Sequence, residues 1–488
     1  MSGTPDNNEL FAVQQRLEDA DAELAGTLAH LERLKIRRHD DLVLLNQLAS
    51  PFLRLPPELI CDIFICCLPP PRTLPSPRDA PLLLGQVCHQ WRNIALSFPV
   101  LWSSICLAAV FAASHGNGLL ALLDTWLERS GNSHLSLSIV LGSSENHRRS
   151  DLNQIMYETG RSSLFRKVRH SSYRWRELEV VRRLEDLPAI FQRDDPWHLP
   201  QLVKLTLLLS QGTRPQETSP GTLSNFTEAP ALREVHLQGF SPRTLLLPWW
   251  QLTIIHTENL LPLEVLETLA QSTSLIDATF SLWPTQFFRL PSDLPVGRPS
   301  RLKSLSLFGE MITPILDFLY LPPFQCFSIS FGPHNDLSHL IGFLLGHQLT
   351  TVSIDVRAVL PLNDLASLLL SLPHVETLSF GAHNGLMNGV LPHALCTNAD
   401  LLPALRRLTV YERVDRYNEP PLDAAVVVNM LRARWATGLK SLCLVSTHVF
   451  REVHPGFFEL AKEGMDIELR SHGSGPFLVV YFNTAQVH

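Results

Sequence analysis

The sequence predicts an α/β chain in which short parallel strands alternate with helices, preceded by one long helix and a compact helical module. Three observations carry that expectation. A pattern apolar-x-x-apolar-x-apolar recurs ten times between Trp175 and Leu444. Leucines recur every seven residues near the start, at Leu10, Leu17, Leu24 and Leu31. Between these regions, residues 55–107 place apolar and aromatic side chains at helical spacing. That segment is too short to bury them by itself.

Composition narrows the function classes. With 488 residues, 45% of them hydrophobic, the chain can form two or three domains with a sizeable core. A net charge of −7 and a pI near 6.3 recommend neither nucleic acid nor a membrane as partner. No apolar run approaches the length of a membrane span. The polar, acidic start MSGTPDNNEL carries no signal-peptide pattern, which predicts a cytoplasmic or nuclear protein. The eight cysteines stand at 61, 66, 67, 88, 106, 326, 396 and 443 and form no two CxxC pairs at ligand distance. Reduced thiols are therefore expected, with no metal and no cofactor.

Residues 1–48 form the first part. Val13, Ala20, Thr27 and Leu34 alternate with the heptad leucines, and charges fill other positions. The spacing predicts a helix over 9–48, with Asn7 or Asn8 as its cap. Such a helix forms a coiled coil in a homodimer, or it packs back on its own chain.

Residues 50–107 form the second part. Pro51 ends the first helix, and Ser50 through Leu68 reads as a turn and a helix carrying Leu59, Ile60, Ile63 and Phe64. The proline-rich stretch from Leu68 to Pro81 cannot continue it. Pro81 then opens a helix through Ala95 that carries Val87, Trp91 and Ile94. The ordered residues Leu55-Pro56-Pro57-Glu58-Leu59, Ile63-Phe64, Val87-Cys88, Trp91-Arg92, Ala95 and Pro99-Val100-Leu101-Trp102 resemble the F-box. The F-box joins substrate receptors to the Skp-type adaptor of a cullin–RING ubiquitin ligase. The resemblance covers about a tenth of the chain, and many F-box proteins of filamentous fungi look similar. It implies adaptor contacts through Leu55, Pro56, Leu59, Ile63, Phe64, Val87, Trp91, Leu101 and Trp102.

Residues 108–172 read as a connecting segment, and 173–488 as stacked strand–helix units. Successive copies lie 20 residues apart from Leu232 to Leu252 and 34 apart from Leu405 to Leu439, near the leucine-rich-repeat period. The last two apolar positions of each copy are two apart, as in a strand buried on one face. Helices are expected between copies, at Leu263–Leu269, Asp364–Leu372 and Asp423–Trp435, with Asn363-Asp364 and Asp423 at their starts. No unit can bury its own apolar face, so the copies should stack into an irregular leucine-rich-repeat-like solenoid with parallel strands on its concave side. A helix at Phe457–Lys462, a strand at Met465–Leu469 and a closing strand at Phe477–Phe482 should cap it.

Residues beside the buried strand positions should face outward. They include Lys204, Thr206, Glu234, His236, Ser304, Ser306, Thr377, Ser379, Arg407 and Thr409. Of these, Lys204, Glu234, His236, Ser304 and Arg407 are the expected contacts to a target protein. Phosphate-loop, GxSxG and HExxH motifs are absent, and the twenty histidines are dispersed, so no enzyme is expected. The resemblance implies a substrate-recognition subunit of a Skp–cullin–F-box ligase, which brings an unknown target to the ligase. The alternatives are a repeat scaffold outside any ligase and a hydrolase whose site is assembled in space.

Overall fold

In a computed structural model of the chain, the described residues are 7–49, 52–70, 72–108, 116–140, 164, 166–182, 197–209, 223–283, 299–309, 312–332, 336–356, 361–383, 389–398, 400–413, 423–446, 454–471 and 479–482. They fall into two compact units: residues 1–70 with 75–102, and residues 71–74 with 103–488.

In the first unit, helix α1 runs over Asn7–Ala49, so Asn7 and Asn8 lie inside its first turn rather than capping it. Its heptad leucines stand open to solvent, from Leu10 at 49% exposed to Leu24 at 61%. After a short 3-10 turn at Phe52–Arg54, α2 spans Pro57–Cys66. Proline suits its first turn, where a backbone N–H would have no helical partner. Ile60, Cys61 and Phe64 of α2 are buried. Phe52, Phe64 and Trp91 form an aromatic cluster, with the Phe64 and Trp91 rings 4.9 Å apart.

The helix expected from Pro81 is instead two, α3 at Leu84–Val87 and α4 at His89–Ser97. Cys88 divides them with extended backbone, and its sulfur accepts a hydrogen bond from the Trp91 N–H at 3.4 Å. A side chain that caps the second helix favours a break over continuation. A 3-10 turn at Pro99–Trp102 follows, and its Trp102 indole N–H donates to the Ala95 carbonyl at 2.8 Å.

The second unit is a mixed α/β body built on one open sheet of fifteen strands, hydrogen-bonded in chain order. They are β1 Ser104–Ala108, β2 Leu135–Val140, β3 Trp175–Arg182, β4 Lys204–Leu209 and β5 Glu234–Gln238. Next come β6 Ile254–Leu260, β7 Asp277–Leu282, β8 Ser304–Phe308, β9 Cys326–Phe331 and β10 Thr351–Val356. The last are β11 Thr377–His383, β12 Arg407–Arg413, β13 Ser441–Ser446, β14 Asp466–Ser471 and β15 Val479–Phe482. The first fourteen are parallel; β15 returns antiparallel along β14. Parallel neighbours need a crossover each time, and helices such as Pro262–Gln271, Leu337–Leu345 and Ala424–Trp435 supply several of them.

The apolar positions of the recurring pattern lie in register across this sheet. Leu178, Leu205, Val235, Ile255, Ala278, Leu305, Phe327, Val352, Leu378, Leu408, Leu442 and Ile467 form one continuous row. Each of them is buried. The period of two turns every one to the same face. The pattern is incomplete at Leu252 and Ile255, where Thr257 takes the last apolar position, yet β6 joins the series in register and both residues are buried.

Two boundaries move. The stretch expected to be a connector contributes β1 at its edge, helix α5 at Gly116–Arg129 and β2, so the sheet begins at Ser104 rather than near Tyr173. Ile105 and Leu107 thereby leave the helical module: they are two apart, buried, and paired with Leu137 and Ile139. The helix expected at Asp364–Leu372 is Leu362–Leu370, which places Asn363 and Asp364 in its first turn. Asp423 does cap its helix, accepting from the Ala425 N–H at 2.9 Å.

Candidate functional site

Two surfaces hold the residues singled out above, one in each unit. In the first unit, α2 is apolar on both sides. Its inner side buries Ile60, Cys61 and Phe64, whereas Leu59 and Ile63 remain 49% and 39% exposed. These two stand at i and i+4, so they share one helix face. Val87, at the end of α3, is also exposed, as is Pro56 just before α2.

The other expected adaptor contacts lie inside. Phe64, Leu101 and Trp102 are buried, and they hold the module together rather than forming its outer face. Trp91 and Leu55 are half-buried. Sequence spacing identifies residues on helices, but it does not say which of two apolar stripes a helix turns inward.

In the second unit, the outward-facing strand positions make a polar band. One row reads Ser138, Glu179, Thr206, His236, His256, Thr279, Ser306, Ser328, Ser353, Ser379, Thr409, Cys443 and Glu468. Thr206 is nevertheless buried, at 4% exposed. The neighbouring row carries Lys204, whose ammonium pairs with Glu234 at 2.5 Å. Arg407 donates to the Thr377 hydroxyl at 3.3 Å, and Ser304 opens β8 on the same row. Near the far end, Gly381 sits where a Cβ would come within 2.9 Å of the Asp355 carboxylate. Asp355 accepts from the Ser330 hydroxyl at 3.0 Å. Arg72 pairs with Glu179 at 2.5 Å.

The five expected target contacts are not one cluster. Lys204, Glu234 and His236 stand together on β4 and β5; Ser304 and Arg407 begin strands farther along the sheet. Beside the first group the structure adds two residues that the sequence reading did not select, His256 and Glu258. The rings of His236 and His256 face one another across β5 and β6 with centroids 4.4 Å apart. Glu258 lies 3.5 Å from Nε2 of His236 and accepts from the Gln238 amide at 3.2 Å. Burial, and then the neighbouring His236, hold the His256 imidazole below its ordinary pKa. At β13 and β14, burial and the Glu468 carboxylate push the Cys443 thiol up to about 11. All eight cysteines are free thiols. Among the described residues no helix is long and apolar enough to cross a membrane.

No family model matches the chain, and a search of curated proteins returns no match.

Proposed function

We propose that the chain is the substrate-recognition subunit of a Skp–cullin–F-box ubiquitin ligase. The segment 55–102 acts as an F-box, and an irregular leucine-rich-repeat-like solenoid recognises a target protein. One observation carries this reading: a helix whose inner stripe is already buried still presents Leu59 and Ile63 to water. Exposed apolar surface of this kind marks a docking site. The residues on that face are those through which the F-box resemblance implies adaptor contact.

On this reading the chain makes and breaks no bonds. It contributes proximity, holding target lysines near a ubiquitin thioester. The polar band of the sheet, with Lys204, Glu234, His236, Ser304 and Arg407, suits recognition of a protein by shape and hydrogen bonding. A second copy of the chain is the partner for α1, since leucines at seven-residue spacing stand exposed from Leu10 to Leu31.

Co-purification with a Skp-type adaptor tests the reading. Wild type is expected to bind, and Leu59→Asp with Ile63→Asp to abolish binding while the sheet stays folded. Failure of the wild type to bind any Skp-type adaptor would overturn the ligase reading.

A further inference from the structure

The geometry points to a divalent metal site of the zinc class formed by His236, His256 and Glu258. One ligand atom from each lies within 4.8 Å of the other two, and among the described residues no other group of three such side chains converges this way. The inference is independent of the adaptor-binding reading.

The fold brings the three together by register alone. His236 is the outward residue at the centre of β5, and its parallel partner on β6 is His256. Two residues farther along, Gln238 pairs with Glu258 on the same face. Around Glu258, β6 carries one extra residue relative to β7: Thr257 to Leu260 spans what Phe280 to Leu282 spans. Asn259 takes up that excess with φ at +62°, a conformation asparagine tolerates better than most residues. Bulges re-aim the side chains beside them and cluster near functional sites.

The chemistry of the donors selects the metal class. Two imidazoles and one carboxylate are the borderline donors that suit Zn²⁺, in a site with three protein ligands and an open fourth position. Bonds of about 2.0–2.2 Å require ligand atoms roughly 3.3 Å apart in a tetrahedron. The His236–Glu258 pair already stands at 3.5 Å. The imidazole nitrogen involved, Nε2 of His236, is shielded from water and among the described residues has no hydrogen-bond partner. A hydrogen-bonded polar cluster would have satisfied it; a metal ion would as well. Gln238 also donates to the other oxygen of Glu258 at 3.2 Å. Such contacts fix the orientation of a metal-binding carboxylate. The His236 and Glu258 side chains are 29% and 37% exposed.

The test uses the full chain, stripped with chelator and titrated with Zn²⁺ and with Co²⁺. The chain has twenty histidines and eight cysteines, so stoichiometry alone does not locate a site. Cobalt bound by nitrogen and oxygen gives weak visible bands without the intense near-ultraviolet band of a sulfur ligand. One Co²⁺ per chain with that spectrum is expected. His236→Ala, His256→Ala or Glu258→Gln should each weaken binding by about tenfold or more. Zn²⁺ should also raise the melting temperature of wild type but not of the variants. Should a variant fail to fold, modification of the wild type by diethyl pyrocarbonate decides: Zn²⁺ should protect His236 and His256 specifically. No metal uptake, sulfur bands unchanged in all three variants, or no protection of these two histidines overturns the assignment.

Discussion

The Arg434 guanidinium, 2% exposed, donates to the Asn398 carbonyl at 2.9 Å. The same group donates to the carbonyls of Leu395 and Leu401, each at 2.8 Å. It lies near the end of the helix Ala424–Trp435 and collects carbonyls from the end of the helix Leu391–Thr397 and the turn that follows it. The planar fork of arginine satisfies three acceptors at once, which a single ammonium cannot do in the same geometry. Arg434→Ala leaves three carbonyls without these donors. A loss of about 3 kcal/mol or more is expected. Arg434→Lys should recover only part of it, measured by chemical unfolding of the sheet unit. A neutral effect of Arg434→Ala would show that water replaces the guanidinium there.

Within the helical module, Phe64 and Leu59 should separate stability from binding. Phe64 is fully buried against Trp91, so Phe64→Ala is expected to cost about 3–5 kcal/mol. Leu59 is half open to water, and Leu59→Asp should change stability by no more than about 0.5 kcal/mol. Adaptor binding should be lost in Leu59→Asp with its melting transition unmoved. Equal destabilisation by both changes would make Leu59 a packing residue.

The sheet was legible in the sequence because one signal repeats. Each of the fourteen parallel strands buries at least two side chains spaced two apart, and a register set by that period cannot slip by one without exposing the whole row. Leu378 and Phe380 of β11 are typical, lying between Val352 and Ile354 on one side and Leu408 and Val410 on the other. Ile105 and Leu107 were harder to place, because the same apolar run also continues the helical module. The break at Cys88 depended on one side-chain cap, which helical spacing cannot signal. The pairing of His236 with His256 was hidden for another reason. Each is an isolated outward histidine in its own copy, and only strand adjacency joins residues twenty positions apart. The signal was a histidine between the two buried positions of Val235-His236-Leu237, followed by a histidine between buried Ile255 and Thr257.

Helix α1 should self-associate. Leu17 and Leu24 are 59% and 61% exposed on a helix of 43 residues, long enough for several heptads. Sedimentation equilibrium should give a mass near twice 54.8 kDa for wild type. The double change Leu17→Asp, Leu24→Asp should weaken dimerisation by at least about a hundredfold, since each buried leucine contributes about 1.5 kcal/mol or more. A wild-type monomer at high concentration would remove α1 as an assembly element.

Cys443 should react slowly for a thiol that is only half-buried. It pairs in register with Glu468 on the adjacent strand, and burial together with that carboxylate raises its pKa from 9.0 to about 11. Only the thiolate alkylates readily, so iodoacetamide at pH 8 should label exposed Cys66, Cys67 and Cys88 well before Cys443. Glu468→Gln removes the charge and should bring the Cys443 titration down towards 9, with faster labelling read by mass spectrometry. The stability consequence has a definite sign. The folded state holds the thiol proton more tightly than the unfolded chain, so this contribution is complete below pH 9 and fades as pH rises towards 11. Wild type should therefore lose stability over that interval relative to Cys443→Ser, whose hydroxyl does not titrate there. Parallel pH profiles for the two proteins would show that Cys443 is not held by its neighbour in this way.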